Sequence, residues 1–344
     1  MKDGITQSEN ALSEQTGAES SGQALSDTGV KRLKIRKKSL KERMILSFKR
    51  YWLVYLLILP GIISLIIFAY GPMILQFTMA FTDYRLIDGI FGSKWVWFDN
   101  FKEIFTAMPE FKRLITNTLL LSLYYFIAGF LPPLILAVMF FDLSSTKLRK
   151  VSQTIVYIPY FFSWVIVYTI VYGLLSNTGL INSIVVKAGG ERVNFLMNAN
   201  YMRTILVVTN IWKSVGWGTI IYLAAMTSID VTLYDVAKLD GCGPLRRTFV
   251  VTLPGIKNIT FFLLVLALGG ILSGGNTEQI LLFYSPATWS TTDTIGTWMY
   301  REGLRNADQF SLGAALSFMQ STVGMILVLI ANKITTKYAK LSIW

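Results

Sequence analysis

Side chains able to bind another molecule are concentrated in one apolar segment near the middle of the chain. The stretch TNIWKSVGWGTIIY, within residues 204–229, contains an amide, an ammonium, a hydroxyl and an indole. They belong to Asn210, Lys213, Ser214 and Trp217, which fall on one helical face at i, i+3, i+4 and i+7. That face could line a cavity, or it could join neighbouring helices, with Lys213 turned toward the bundle or water. The sequence leaves both interpretations open.

Two further pairs of residues could take part in the same noncovalent chemistry. Tyr168 and Tyr172 stand at i and i+4 in another apolar segment, where ordinary interface aromatics explain them equally well. Asn276 and Glu278 lie in SGGNTEQ, at the end of a third apolar segment. They could contact a bound molecule or a partner, or they could cap a loop. All four remain candidates for a substrate pathway.

The sequence lacks the residues that most enzymatic reactions need. It contains no histidine, which removes the commonest general base and metal ligand. It has no G-x-x-x-x-G-K-[ST] string for a P-loop and no Cys/His spacing typical of a metal site. Asp235 and Asp240 are five positions apart, so a helix would not place them on one face. We therefore expect a chain that is not an enzyme and binds neither cofactor nor metal itself.

The elements that must position these residues are membrane helices. Hydrophobic residues make up 53% of the chain and charged residues 15%, against about 25% charged in an average soluble protein. Six apolar blocks are long enough to cross roughly 30 Å of hydrocarbon. Their approximate boundaries are 52–80, 114–141, 151–175, 204–229, 258–276 and 310–332. The prediction is an all-α integral membrane protein with six transmembrane helices, in contact with the lipid bilayer.

Basic residues predict how these helices are oriented. Six spans place both termini on one side, and that side has roughly twice as many Lys and Arg as the other, as cytoplasmic loops do. Both termini and the link 230–257 are therefore expected in the cytoplasm. Residues 1–50 form a tail that begins poor in large apolar side chains and is expected to be disordered. Its basic run KRLKIRKKSLKER suits anionic lipid better than nucleic acid. The six-span domain then occupies 51–344.

The link 230–257 has the composition of a helical hairpin. In YDVAKLDGCGPLRRTFVVTLPGI a short helix can end before Gly241, where a left-handed residue would stop it. Cys242, Gly243 and Pro244 then force a change of direction, and LRRTFVVTL can form a second helix. Such a hairpin exposes small residues at its tip, which suits insertion into a groove of another protein.

The spacing within this hairpin resembles the signature of ABC-importer permeases, which is Glu-Ala-Ala, three residues, Gly, nine residues and Ile-x-Leu-Pro. Here Asp235-Val236-Ala237 precedes Gly241 by three residues, and VTLP at 251–254 follows after nine more. Asp stands in place of Glu, and Val replaces both the first Ala and the Ile. These departures leave the details of an ATPase contact open. The LDG sequence at 239–241 is similar to the carbohydrate branch of the family.

Other stretches extend the resemblance over most of residues 51–344. LLILPGIISLIIFAYGPM is similar to the first span of sugar permeases of the maltose and glycerol-phosphate type. GIFGSKWVWFDNFKEIF and TEQILLFYSPATWSTTDTIGTWMYREGL resemble external segments of the branch associated with polysaccharides and lipoproteins. An oligosaccharide substrate is favoured because that branch is linked with glycans.

The resemblance implies a type I ABC importer permease fold, in the bacterial cell membrane, with the hairpin as a coupling helix between helices 4 and 5. It implies a heterodimer with a second six-span permease, two cytoplasmic ATPase subunits that bind ATP and Mg²⁺, and an external sugar-binding protein. The residues that would contact the ATPase are Tyr234, Asp235, Ala237, Asp240, Gly241 and Pro254.

A secondary transporter is the alternative from a different class. It would carry acidic residues within its spans to couple transport to ions or protons. The six apolar blocks contain none. A hairpin of this length would also lack a role in such a transporter.

Overall fold

The computed structural model describes residues 40–303, 306 and 309–339. The chain divides into two units, residues 1–68 and residues 69–344. Within the first unit, helix α1 spans Leu40–Leu65 and continues into a π-helical turn, Ile66–Tyr70, which extends into the second unit. Large apolar side chains between positions 52 and 68 are exposed to the surroundings, as a helix in lipid requires. Residues 1–39 of the predicted 1–50 tail lie outside the described residues, whereas residues 40–50, which were expected to be disordered, belong to α1.

The second unit is almost entirely helical. A two-stranded antiparallel sheet pairs β1 (Thr82–Asp83) with β2 (Lys94–Trp95). The α-helices are α2 Gly71–Ala80, α3 Gly89–Gly92, α4 Asp99–Thr106, α5 Phe111–Asp142, α6 Thr146–Tyr157, α7 Trp164–Leu175, α8 Leu180–Lys187, α9 Ala199–Thr227, α10 Val231–Leu239, α11 Pro244–Arg247, α12 Leu253–Gly255, α13 Lys257–Gly269, α14 Thr277–Leu282, α15 Trp289–Thr292, α16 Ile295–Trp298 and α17 Phe310–Ala339. Shorter turns are the 3₁₀ segments Ile158–Phe161 and Pro286–Thr288 and the π segments Thr248–Thr252 and Met299–Gly303.

Several of these helices are long and apolar enough to cross a membrane. Within the described residues, four candidates qualify by length and composition: Phe48–Ala80, Phe111–Asp142, Trp164–Lys187 and Phe310–Lys337. Two bent helix pairs raise the number to as many as six. One pair joins α9 to α10 at 78°, and the other joins Pro244–Gly255 to α13 at 68°.

Among the described elements of the second unit, α9 and α5 pack together most extensively. Two glycines of α9 allow close approach to its neighbours. A Cβ at Gly216 would lie 2.3 Å from the carbonyl oxygen of Val156 in α6, and one at Gly218 would lie 2.8 Å from the ring of Pro133 in α5. Because real Cβ atoms do not approach so closely, α9 lies between α5 and α6 at distances that only glycine permits.

Three buried apolar clusters hold the helices of the second unit together. The first surrounds Ile104 and Leu114, and it joins the short helix α4 to α5 and α17. The second surrounds Leu121 and Leu206, and the third surrounds Met226. Many other large apolar side chains remain exposed, as they are on helices that face lipid.

The third apolar block differs from the uninterrupted span expected over 151–175. Helix α6 ends at Tyr157, a 3₁₀ turn follows, and α7 begins at Trp164. Pro159 lacks an N–H at the start of the turn. The Ser163 hydroxyl accepts a hydrogen bond from the main-chain amide of Ile166 and so caps the start of α7. The long apolar helical candidate is consequently 164–187.

Two other elements also differ from expectation. Helix α13 ends at Gly269, whereas the fifth block was expected to remain helical to 276; the glycines at 269 and 270 favour an earlier stop. The second half of the hairpin, expected as one helix in LRRTFVVTL, is helical over Pro244–Gly255, but it contains the π-helical turn Thr248–Thr252. Pro254 lies just beyond this turn, and it cannot donate the hydrogen bond that a regular helix needs.

Candidate functional site

The hairpin that follows α9 begins with a capped helix. The Asp230 carboxylate accepts a 2.9 Å hydrogen bond from the Thr232 amide and so caps the start of α10. At the other end, Gly241 has a φ of +72°. The amide of Cys242 then reaches back 2.9 Å to the carbonyl of Ala237, which closes the helix in the way that a left-handed glycine allows. Both ends of α10 are therefore fixed by local chemistry.

One face of α10 packs against the rest of the hairpin. Ala237 is buried, and the Tyr234 hydroxyl lies 3.0 Å from the Thr252 hydroxyl. The Tyr234 ring also contacts Phe141, at 5.7 Å between ring centroids. A Cβ at Gly255 would lie 2.6 Å from the side chain of Ile229, so glycine lets the end of the hairpin pack closely against the residues that follow α9. Tyr234 and Ala237 thus anchor α10 within this chain.

The opposite face of α10 is exposed and largely apolar. Leu239 is 88% exposed, and the other apolar side chains uncovered in the hairpin are Val231, Leu233, Val236, Leu245, Phe249 and Val250. Asp235 is exposed and forms a 3.1 Å ion pair with Lys238. Asp240, Gly241 and Pro254 are also exposed. An exposed apolar face of this size on a capped helix is typical of a surface that binds another protein.

Lys213 lies inside α9 and is only 9% exposed. Its ammonium donates a 2.7 Å hydrogen bond to the carbonyl of Tyr160, in the 3₁₀ turn between α6 and α7. The same ammonium lies 5.3 Å from the Tyr160 ring centroid and 5.4 Å from that of Trp164, distances at which cations are attracted to aromatic rings. These contacts are the ones expected if Lys213 joins helices.

Lys213, Asn210, Ser214 and Trp217 form a polar stripe along α9. Unlike Lys213, the other three residues of this stripe are not buried. The Trp217 ring is about half exposed and stacks on Tyr160, with centroids 4.5 Å apart and an interplanar angle of 5°. The Ser214 hydroxyl donates back to the Asn210 carbonyl at 2.6 Å and lies 3.3 Å from the Asn210 amide oxygen. Asn210, Ser214 and Trp217 remain partly accessible, so they stay candidates for lining a pathway.

Tyr168 and Tyr172 line a separate cavity of about 420 Å³. Their ring centroids are 6.0 Å apart, and Tyr168 meets Phe283 edge to face at 5.0 Å. The amides of Asn177 and Asn194 contribute polar groups to the same cavity. The two tyrosines are therefore not brought together with the stripe on α9.

The two residues predicted in SGGNTEQ have different surroundings. Asn276 caps the short helix α14, because its side-chain oxygen accepts a 2.9 Å hydrogen bond from the main-chain N–H of Gln279. This is the loop-capping alternative that the sequence allowed. Glu278 is exposed and interacts electrostatically with Lys213 without forming an ion pair. The structure thus brings α14 near the polar stripe of α9.

Gln279 is the residue that holds α14 against the helices, and sequence reasoning missed it. Its fully buried amide donates to the Leu206 carbonyl at 2.8 Å and to the Thr209 hydroxyl at 2.7 Å. Its amide oxygen accepts a 2.6 Å hydrogen bond from the hydroxyl of Tyr125. Each polar group of the side chain is therefore used across α5, α9 and α14.

A buried charge cluster around Asp293 was also missed. Its carboxylate receives two hydrogen bonds from Arg301, at 2.9 and 3.1 Å, and one of 3.0 Å from Arg113 in α5. Hydroxyl groups of Tyr284 and Thr297 donate to the same carboxylate. Burial acts to raise the pKa of the Asp293 carboxyl, while the bonds from Thr297 and Arg113 act to lower it. The cluster fastens the 276–303 segment to α5.

Asn117 extends this cluster to α9. Its amide donates to the main-chain carbonyl of Asp293 at 3.1 Å, and its oxygen accepts a 2.7 Å bond from Arg203. The signal that could have revealed the cluster is a single acid, Asp293, within the polar and apolar stretch STTDTIGTW. Within the described residues, no group of three or more His, Cys, Asp or Glu side chains could hold a metal ion.

Comparison with known proteins places this geometry in a family. Residues 104–338 match the family described as binding-protein-dependent transport system inner membrane component. The polygalacturonan/rhamnogalacturonan transport system permease protein YteP of Bacillus subtilis (strain 168) is 38% identical over 311 residues, which cover 90% of this chain and 96% of YteP. Protein LplB of the same organism is 37% identical, over 85% of this chain and 91% of LplB.

A solved structure is similar to this chain in both sequence and fold. It is a crystal structure of a bacterial ABC transporter involved in the import of the acidic polysaccharide alginate. The matching chain is 38% identical, with a TM-score of 0.78, and the match covers 86% of this chain and 99% of that one. The family inferred from the hairpin motif is thereby confirmed. The chain belongs to the binding-protein-dependent transport system inner membrane components, and it is a permease of an ABC importer.

Proposed function

We propose that the chain forms half of the translocation pathway of an ATP-driven importer for a sugar, and specifically for an oligosaccharide. The relatives support this substrate class, because their names and descriptions refer to polygalacturonan, rhamnogalacturonan and alginate. A structure of the alginate importer also includes a periplasmic protein carrying an alginate pentasaccharide. By the same arrangement, an external binding protein delivers the sugar to this chain.

Six spans form the membrane domain in this proposal, with both termini in the cytoplasm of a bacterial cell. The bent pairs that contain α9 and α13 count as two of these spans. A second six-span permease completes the pathway, and two ATPase subunits carry the ATP and Mg²⁺. No nucleic acid takes part.

The exposed apolar face of α10 is the observation that carries the ATPase assignment. A helix in the cytoplasm that exposes Leu239 and Val236 has no lipid to cover them, so a protein partner is needed. Asp235 and Asp240 add polar contacts at the rim, and Gly241 and Pro254 set the turns. Tyr234 and Ala237 link α10 to the helices. Closure of the ATPase dimer would then move the hairpin and the attached helices as one body.

Co-purification tests the proposal. The chain is purified from its native membrane in mild detergent, and co-eluting proteins are identified by mass spectrometry. A P-loop ATPase and a second six-span protein are expected. Leu239→Asp should remove the ATPase from the complex. Ile87→Asp is the matched control, since Ile87 is 99% exposed on the predicted outer side. Recovery of the chain without any ATPase, under conditions that preserve other complexes, would contradict the proposal.

A further inference from the structure

A cavity of about 580 Å³ lies beside α14, outside the polar stripe of α9. It adjoins the tyrosine cavity of α7, with which it shares Leu282 and Tyr284. Its volume falls within the roughly 300–1,000 Å³ of small-molecule sites. Five side chains give it its chemical character: Glu278, Tyr284, Trp289, Tyr300 and Arg301. Three aromatic rings, a carboxylate and a guanidinium therefore meet in one concave space.

The Glu278 carboxylate at this cavity has no hydrogen-bond partner within the described residues. It is exposed, and Lys213 acts on it only electrostatically. An ionised carboxylate accepts hydrogen bonds from hydroxyl groups, so the cavity suits a ligand with several hydroxyl groups.

The aromatic wall of the cavity is held in a fixed position. Arg301 lies 4.2 Å above the Trp289 ring and 5.7 Å from the centroid of the Tyr284 ring. The same guanidinium is bound to Asp293 by two hydrogen bonds, and the Tyr284 hydroxyl donates to that carboxylate. Rings fixed in this way present an apolar surface without further loss of side-chain entropy. The carbon-bound hydrogens of a pyranose ring can pack against such a surface.

The charges at the cavity determine which sugar it favours. Arg301 already pairs with Asp293 and, at 3.0 Å, with Glu302. The carboxylate of Glu278 has no such pair. A carboxylate on the ligand would therefore meet a like charge at Glu278 and a guanidinium whose charge is already balanced.

We propose that this cavity is a subsite for an uncharged pyranose ring of the transported glycan, a proposal that rests on the sugar-importer function above. Glu278 accepts hydrogen bonds from the ring hydroxyls, and the aromatic residues contact the apolar face of the ring. The subsite disfavours a uronate ring, even though the solved alginate importer carries an acidic polymer.

Saturation-transfer NMR on the purified importer complex tests the subsite. The probes are methyl β-galactopyranoside and the corresponding galactopyranosiduronate, which differ by one carboxylate. The neutral probe should receive the stronger saturation transfer from the wild-type complex. Tyr300→Ala, which removes an exposed aromatic ring from the cavity wall, should weaken binding of the neutral probe about threefold to tenfold. Glu278→Gln should raise binding of the uronate to the level of the neutral probe, an effect that a purely structural role of Glu278 would not produce.

Glu191→Ala is the control, because Glu191 is an exposed carboxylate away from the cavity. A wild-type preference for the uronate would overturn the proposal, as would a neutral signal that neither cavity variant alters. Absence of any signal would overturn it too. The importer function would stand in each of these cases as long as the complex still contains its ATPase, and it would fall if no ATPase were present.

Discussion

The ammonium of Lys213 donates a 2.7 Å hydrogen bond to the carbonyl of Tyr160, which joins α9 to the interruption between α6 and α7. Carbonyl groups at the end of a helix lack partners within that helix, and a cation is favoured there by the helix dipole. Lys213 supplies both the donor and the charge. The interrupted third block and the lysine inside the fourth therefore stabilise one another.

Replacement of Lys213 by Met should lower the free energy of unfolding by about 1.5–3 kcal/mol. The substitution removes a hydrogen bond from a charged donor and leaves the Tyr160 carbonyl without that donor. Thermal unfolding of the complex in detergent measures the change. Lys187→Met is the control, since Lys187 is exposed at the end of α8. Equal unfolding midpoints for the two variants would show that the bond to Tyr160 contributes nothing.

Gly216→Ala should separate α9 from α6, because the new Cβ would lie 2.3 Å from the Val156 carbonyl oxygen, a main-chain atom. We expect a cost of about 1–3 kcal/mol from overpacking. Gly129→Ala in α5 is the matched substitution, as no atom lies within 4 Å of its added Cβ. It should stabilise by about 0.5–1 kcal/mol through helix propensity. The order of the two unfolding midpoints checks the prediction, and a reversed order would contradict it.

Asp293→Asn should destabilise the chain by about 1.5–3 kcal/mol, because Arg113 and Arg301 lose their charged hydrogen bonds to a buried carboxylate. Limited proteolysis within 276–303, compared with wild type, reports the loosened segment. In the exposed pair of Asp83 with Arg85, Asp83→Asn should change stability by less than about 1 kcal/mol. Similar proteolysis rates for both variants would mean that the charge cluster does not fasten the segment.

Gly241→Val should distort the end of α10 at a cost of about 1–2 kcal/mol, since Gly241 has a φ of +72° and Val disfavours the left-handed region. Gly241→Asn should be tolerated better. No atom of another residue lies within 4 Å of a Cβ added at Gly241, so clashes with neighbouring residues do not contribute to this cost. Hydrogen exchange of the α10 amides compares the two. If Val and Asn gave the same protection, the turn conformation would not explain the glycine.

Much of the fold could be predicted because membrane helices and turns have local signals. The apolar blocks around α5, α9 and α17 stood out by length and lack of charge, and Gly241 ended α10 where its freedom at positive φ is needed. The break after Tyr157 was not anticipated. Its causes are Pro159 and Ser163, together with Lys213 from a distant part of the sequence.

The site was harder to predict, because its important residues act through distant partners. In the sequence, nothing distinguishes Gln279 from an ordinary loop residue. Only the fold shows that its side chain hydrogen-bonds to Tyr125, Leu206 and Thr209. Lys213 stood out by its charge, but only the fold shows that it binds a carbonyl. The exposed face of α10 depends on which neighbours cover Ala237 and which leave Leu239 open, and sequence periodicity in nine residues cannot separate the two.

Cys242 is the single cysteine of the chain, and its amide is tied to Ala237 at the end of α10. A thiol-reactive probe would therefore attach at one position in this subunit without removal of other cysteines. Because the attachment point is fixed by the closing turn of the helix, the distance from a spin label at Cys242 to a second label on a partner subunit would report displacement of the hairpin itself rather than local flexibility of the main chain. The protein thus offers a built-in position from which to follow the motion that accompanies transport.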